Sequence, residues 1–487
     1  METKEKNTII SNIGWLTVSK IAIYLLSIIT ITLIPRYLGV EGFGQLNFAL
    51  SFVAMISVVG DIGLSTLINR DVARHTKWIN KYFNNLFYFK LILLLIFTVV
   101  VFVITLFIDK PLIVKQIIYI GIIFTIFNLL STFILSFYQA LQKMFKTALF
   151  EFLSKFIFVI VLFVVMWLNA GVIGIMFCYL ISIIIASLFL LDIFMKHIKF
   201  KPKYDTKFFK DKINIAWPFA LTTFFGVVYF NFDRFMLSLI TGDYAVGLYA
   251  ISYTFFGFLT SFLGIFSVTF FPVIAKHANT KALEGVINKF SRMIFVFVIP
   301  IFFGGIYFAK ELISLVFGDA FVPGSIAFQL ILLFLLVYSI NLIYVPILAA
   351  YNKQKFQFKV MLIATVTNVA LNFIAIPLLG IEGAALTTIL SELILFIGYY
   401  YFTGKNIIRI PIIKRMLKPF FSGIIMCVFL YFFTKLLPNG ILHNKFDVLF
   451  FVACGAIVYF IVILLTGYIK KEDIMMIVGR FIRNKST

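Results

Sequence analysis

Apolar runs of about 20 residues or more recur along the whole chain, separated by short connections in which Gly, Asn, Asp, Lys and Arg gather. A helix of that length crosses the hydrocarbon layer of a bilayer, so the pattern predicts membrane-spanning helices rather than strands. Fourteen runs qualify, at approximately 13–34, 45–68, 86–108, 116–140, 147–168, 172–194, 213–240, 246–275, 291–316, 326–351, 359–379, 384–403, 419–437 and 447–468. They are numbered spans 1 to 14. The even count puts both termini on one side.

The polar positions say which side. Roughly three quarters of the 42 lysines and arginines fall in connections that share a side with the N-terminus, and short basic connections are retained in the cytoplasm. The opposite side keeps Arg36, Lys110, Lys115, Lys310, Lys435 and Lys445, while Lys20, Lys90, Lys155 and Arg234 lie in or at the ends of spans. Both termini are therefore expected in the cytoplasm. The first span lacks a short apolar core followed by a small-residue cleavage site, so it is expected to be retained.

Composition agrees. Sixty-two per cent of the residues are hydrophobic and 13% charged, against about 25% charged in a soluble domain. The net charge of +22, which in a soluble chain would point to nucleic acid, is largely accounted for by topology, and no nucleic acid partner is expected.

Three pairs of turns recur in order. "GVEGFGQLNFA" after span 1 resembles "GDYAVGLYA" after span 7, matching Gly39 and Gly44 with Gly242 and Gly247. "GVIGIMFCYLIS" resembles "GIEGAALTTILS", matching Gly171, Gly174 and Ser182 with Gly380, Gly383 and Ser391. "ALQKMFK" after span 4 resembles "AYNKQKF" after span 10. The sequence thus predicts an all-α polytopic membrane protein of 14 transmembrane helices: two pseudo-symmetric six-helix lobes, 1–195 and 213–404, joined by a basic cytoplasmic linker at 196–212. Residues 405–487 add two C-terminal helices and a cytoplasmic tail. Such repeats place a substrate site between the lobes.

An ionisable side chain at a helix centre costs about 2.5–3.5 kcal/mol on insertion scales and faces a cavity or a partner. Lys20 in span 1 and Asp61 in span 2 neutralise each other if those spans adjoin; otherwise they meet substrate. Glu151 and Lys155 share a helix face in span 5 and can form an intrahelical pair. Asp233 and Arg234, neighbours in span 7, point about 100° apart and cannot pair well. Arg234 either snorkels to the outer surface or faces a cavity, with Asp233 orienting it or binding a cation. Glu392 lies in span 12. Lys20 and Lys155 on the inner side, with Arg36 and Arg234 towards the outside, offer a polyanion successive charge-assisted donors. Asp61, Glu151, Asp233 and Glu392 are candidates for coupling to protons or sodium.

Cys178, Cys427 and Cys454 lie apart in apolar runs, and His75, His197, His277 and His443 are scattered in connections, so neither metal nor cofactor is expected. Pro218, Pro272, Pro300, Pro346 and Pro377 fall within or near spans 7 to 11, which makes the second half the candidate for bending.

"IPRYLGVEGFGQLNFALSF" and "NFDRFMLSLITGDYAVGLYAISY" resemble bacterial polysaccharide exporters of the O-antigen flippase type, in the multidrug/oligosaccharidyl-lipid/polysaccharide exporter superfamily. The resemblance covers nearly the whole chain in length and helix count. It implies two six-helix lobes around a V-shaped cavity in the bacterial plasma (inner) membrane. It also implies a substrate, undecaprenyl diphosphate-linked oligosaccharide, turned to the outer leaflet for lipopolysaccharide or related surface polymer, with a polysaccharide polymerase as a further partner. Related lipid II flippases use an arginine in span 8, which here carries no charge between Tyr244 and Ala275. A cation-coupled multidrug antiporter of the same superfamily is the alternative transporter. A membrane polymerase or glycosyltransferase fits less well, because the longest outward connections, such as "FGDAFVPGS", are about ten residues and leave little room for a catalytic site. No enzyme activity is expected.

Overall fold

A computed structural model describes residues 2–196, 205–436 and 447–468. Most of the basic linker (197–204), Lys445 and the tail from 469 onward lie outside the described residues. The fold is all α: α1 Glu2–Ser57, α2 Leu64–Arg74, α3 Ile79–Phe107, α4 Leu112–Ala140, α5 Met144–Trp167, α6 Gly171–Met195 and α7 Thr206–Ile240. There follow α8 Asp243–His277, α9 Leu283–Tyr307, α10 Ala309–Val316, α11 Ser325–Ala350, α12 Gln354–Asn406, α13 Ile412–Leu436 and α14 Asp447–Leu465.

Twelve helical stretches among the described residues are long and apolar enough to cross a membrane. Two of them are double. The stretch Ser19–Gly60 has 42 residues and Gln354–Asn406 has 53, each about twice the length one crossing requires, and α1 and α12 each turn at a single glycine. Gly39 takes φ 68° and ψ −178°, and Gly380 takes φ 59° and ψ −129°, conformations that a Cβ disfavours. A Cβ at either would meet nothing within 4 Å, so backbone freedom rather than space requires glycine there. Fourteen crossings result.

The matched turns share a positive φ at the matched residue as well as sequence. Gly242 takes φ 93° beside the 68° of Gly39, and Gly171 takes 60° beside the 59° of Gly380. In the third pair Gln142 and Asn352, at equivalent positions, take φ 56° and 55°. The N–H of Lys143 donates to Tyr138 O and that of Lys353 to Leu348 O, the same five-residue return that closes a helix C-terminus.

Span 2 departs from expectation. It was expected to be continuous over 45–68, whereas the α-helix stops at Ser57, passes through a 3-10 turn at Val58–Gly60, and resumes at Leu64. Ile62 takes φ 45° there, an uncommon conformation for a β-branched residue. The helices run unbroken through Pro218, Pro272, Pro300 and Pro346. Pro377 lies in α12 three residues before the turn at Gly380, and Pro35 lies in α1 four residues before the turn at Gly39.

The chain forms two compact units, Met1–Ala250 and Ile251–Thr487. In the first, α1 packs against α4, α5, α6 and α7. A buried aromatic cluster of Phe83, Phe133, Phe137, Tyr138 and Phe194 joins α3, α4 and α6, with ring centroids 5.1–5.9 Å apart. In the second, α11 packs on α9 and α12, and α13 packs on α9 and α14.

Candidate functional site

The first unit carries seven of the eight ionisable residues singled out from the sequence, and their partners differ from those the sequence suggested. Lys20 of α1 donates to Glu151 of α5 at 2.6 Å, with both side chains partly open, at 42% and 38% exposure. Tyr24, one turn further along α1, lies within electrostatic reach of both. Lys155 does not pair with Glu151. Its ammonium donates to Thr30 Oγ1 of α1 at 2.8 Å and lies 5.3 Å from the Phe158 ring. No carboxylate stands at ion-pair distance from Lys155 among the described residues. A cation–π contact contributes about 0.5–2 kcal/mol against an insertion cost of about 2.5–3.5 kcal/mol. The α1–α5 face thus holds two ammonium groups and one carboxylate.

Asp61 does not pair with Lys20. It sits in the break of span 2, where Oδ1 accepts from Lys90 Nζ of α3 at 2.7 Å and from Ser65 Oγ at 2.7 Å, and Oδ2 accepts from the Ser65 N–H at 3.3 Å. Lys90 is fully buried. Nothing in the sequence selected it beyond its place inside span 3, because its partner lies 29 residues away on another helix.

Asp233 and Arg234 each have partners of their own. Asp233 is 1% exposed; Oδ2 accepts from Tyr249 Oη of α8 at 2.7 Å, and Oδ1 accepts from the backbone N–H of Arg234 at 2.8 Å. Arg234 donates back along its own helix to Phe230 O at 2.7 Å and to Asn231 Oδ1 at 3.1 Å. Both acceptors lie on the turn that precedes Arg234 in α7. Arg36 is exposed, between Pro35 and the turn at Gly39.

The matched turns at 39–44 and 242–247 meet within this unit. A Cβ on Gly44 would lie 1.8 Å from Asp243 O, and one on Gly247 would lie 1.9 Å from Val40 O. Val40 and Asp243 are themselves equivalent positions, so the contact is reciprocal. Lys110, from the connection between α3 and α4, reaches Asp243 Oδ1 at 2.7 Å and Ser238 O at 2.8 Å, and lies 5.0 Å from the Phe48 ring. Ser238 Oγ also donates to Asp243. Sequence reasoning had treated Lys110 as an orientation signal only.

In the second unit Glu392 of α12 is 1% exposed and accepts from Asn341 Nδ2 of α11 at 2.8 Å; the same amide donates to the Glu392 carbonyl at 3.0 Å. Nearby on α12, Asn372 donates to Asn368 at 3.2 Å and accepts from Thr387 Oγ1. Among the described residues no group of three His, Cys, Asp or Glu is placed to hold a metal ion.

These features define a class: an all-α, multi-pass membrane protein with charged and amide side chains held inside its spans. The chain belongs to the family described as polysaccharide biosynthesis protein, whose profile matches residues 9–278, more than half of its length. Among curated relatives it is 28% identical over 205 residues to the capsular polysaccharide biosynthesis protein CapF of Staphylococcus aureus, a match covering 40% of this chain and 50% of that protein. It is 27% identical over 169 residues to the probable low-salt glycan biosynthesis flippase Agl15 of Haloferax volcanii, covering 34% of this chain and 36% of that one. The matched region thus spans half or less of these two relatives. The fold is similar to that of lipid II flippase MurJ in an inward closed conformation, with TM-score 0.78, 18% identity, and 92% of this chain and 97% of that one covered. It is also similar to an inward-facing multidrug resistance MATE family transporter, with TM-score 0.62, 16% identity and coverage of 80% and 97%. At 18% and 16% identity these two likenesses are likenesses of fold.

Proposed function

We infer that this protein is a flippase that carries undecaprenyl diphosphate-linked oligosaccharide repeat units from the cytoplasmic to the outer leaflet of the plasma membrane. The observation that carries this reading is the α1–α5 face, where Lys155 keeps an ammonium inside a span on a hydroxyl and a ring while Lys20 stands one carboxylate away. Phosphate oxygens are suited to both lysines. The pair borders an exposed apolar stripe on α1, formed by Ile21, Leu25 and Ile28, where a polyprenyl tail could stay in lipid while its diphosphate reaches the lysines. Family membership supports a saccharide cargo.

Transport proceeds by alternating access. Within the first unit the turns at Gly44 and Gly247 are in backbone contact and Lys110 is tied to Asp243, and opening of this contact is the step by which cargo leaves. Both termini lie in the cytoplasm, and a proton or sodium ion drives the cycle through the buried carboxylates. The two six-helix lobes are the moving bodies, and a surface-polymer polymerase takes the product.

The test is surface polysaccharide in a gene-deletion strain complemented with Lys20→Met/Lys155→Met. Loss of polymer with normal protein abundance is expected, with lipid-linked repeat units accumulating inside. Polymer at the wild-type level would remove the cationic face from the mechanism.

A further inference from the structure

We propose that Glu151 is a resident counter-ion that the incoming diphosphate must displace from Lys20, so that binding of the lipid head is coupled to uptake of a proton by Glu151. The proposal rests on the diphosphate reading above and adds to it a coupling residue and a stoichiometry.

The α1–α5 face holds the ammonium groups of Lys20 and Lys155 and the carboxylate of Glu151, which is committed to Lys20 at 2.6 Å. Lys155, one helical turn beyond Glu151, turns instead to Thr30 of α1. An i,i+4 acid–base pair is worth only a few tenths of a kcal/mol, and α1 offers each residue a different partner. The Lys20–Glu151 pair is partly open, at 42% and 38% exposure, so an anion can reach it, unlike the closed Lys90–Asp61 pair with its fully buried lysine.

A diphosphate bridging Lys20 and Lys155 would take the hydrogen bond now made to Glu151 Oε2. The released carboxylate would then stand beside a multiply charged anion, and a like charge that close raises a carboxylate's affinity for a proton. It takes up one proton from water: the Nζ–H···Oε2 bond is lost, a carboxyl O–H forms, and the net charge of the site changes by the ligand's charge plus one.

Few other groups compete. On α1 the groups nearest Glu151 are Lys20 and Tyr24, with Arg36 and Glu41 further along the helix, and α5 itself carries Lys146 and Lys155. The other helices packed on α5 are α4 and α6, whose only charged residues are Lys115 in the first turn of α4 and Asp192 in the last turn of α6.

The experiment uses the full chain, purified in detergent, with farnesyl diphosphate as probe. Affinity is measured between pH 5.5 and 8, and proton uptake by calorimetry in two buffers of different ionisation enthalpy. One linked proton weakens binding by up to about tenfold per pH unit as pH rises. Glu151→Gln should bind about tenfold more tightly at pH 8, with a flatter pH profile and close to one proton fewer taken up. The probe's own ionisation is common to both proteins, so the difference in proton count is the readout. Glu151→Asp, which keeps a titratable group, should retain the uptake. Equal proton counts and equal pH slopes for wild type and Glu151→Gln would overturn the coupling while leaving the diphosphate site standing. Failure of the wild type to bind farnesyl diphosphate, or equal binding by Lys20→Met/Lys155→Met, would overturn the site and the coupling together.

Discussion

Asp71, just past the membrane portion of α2, shows how neighbours override burial. Burial pushes its pKa up, but hydrogen bonds from Tyr82 Oη at 2.6 Å, Arg70 Nε at 2.9 Å and Lys212 Nζ at 3.1 Å outweigh it and hold the carboxyl below its usual value. A folded-state pKa below the unfolded one contributes stability that is present above the unfolded pKa of about 3.9 and lost as pH falls through the lower folded value. Thermal unfolding in detergent should therefore show the midpoint dropping below about pH 4, and Asp71→Asn should lower the midpoint at pH 7 and flatten that acid limb. The closed Lys90–Asp61 pair predicts a sharper asymmetry. Asp61→Asn leaves a buried ammonium uncompensated and should cost about 3–5 kcal/mol. Lys90→Met should cost less, because Asp61 keeps Ser65 and is itself partly exposed. The double variant should recover most of the loss, and equal melting temperatures for Asp61→Asn and the double variant would contradict that account. The sequence showed that these ions lie in or near the membrane. It did not show who neutralises whom, since Lys20 and Glu151 are 131 residues apart and pattern carries no information about contacts between helices.

Turns behave differently from ion pairs, because their chemistry is local. The three recurring motifs were readable as residue types, and each proved to share a positive φ at a matched residue, down to that of Gln142 and Asn352. Their tertiary use was not readable. Gly44 and Gly247 matched by spacing alone, yet both exist for close approach, each facing a carbonyl oxygen of the opposite turn. Gly44→Ala and Gly247→Ala should each destabilise by about 1–3 kcal/mol through overpacking, read as a lower melting temperature or lower abundance. Gly257→Ala, where a Cβ meets nothing within 4 Å, is the control. Wild-type melting for both tight-contact variants would mean that the turns do not touch. The break in span 2 escaped the sequence reading for a related reason: "VVGDIGLS" is apolar enough to continue a helix, whereas Gly63 at φ 71° approaches the α7 backbone and Asp61 meets Lys90 of α3, both contacts between helices.

At the scale of the whole molecule, the proposed transport cycle requires motion. If the contact between the turns opens as cargo leaves, tying it shut must stop transport. Lys110→Cys/Asp243→Cys, joined by a short bis-maleimide, should block surface-polymer export, while the unlinked double variant retains part of it. Export unaffected by complete cross-linking would show that this contact stays closed throughout. What the sequence determined by itself was the membrane, the number of crossings, the orientation expected from charge and the duplicated turns, because run length, basic bias and glycine placement are properties of neighbouring residues. Only the tertiary structure decided that Lys20 holds Glu151, that Lys155 is left to a hydroxyl and a ring, and that Lys90 and Lys110 carry structural charge. Those outcomes depend on which helices lie side by side, and a buried ion in a low-dielectric interior is governed by its nearest partner rather than by its position along the chain.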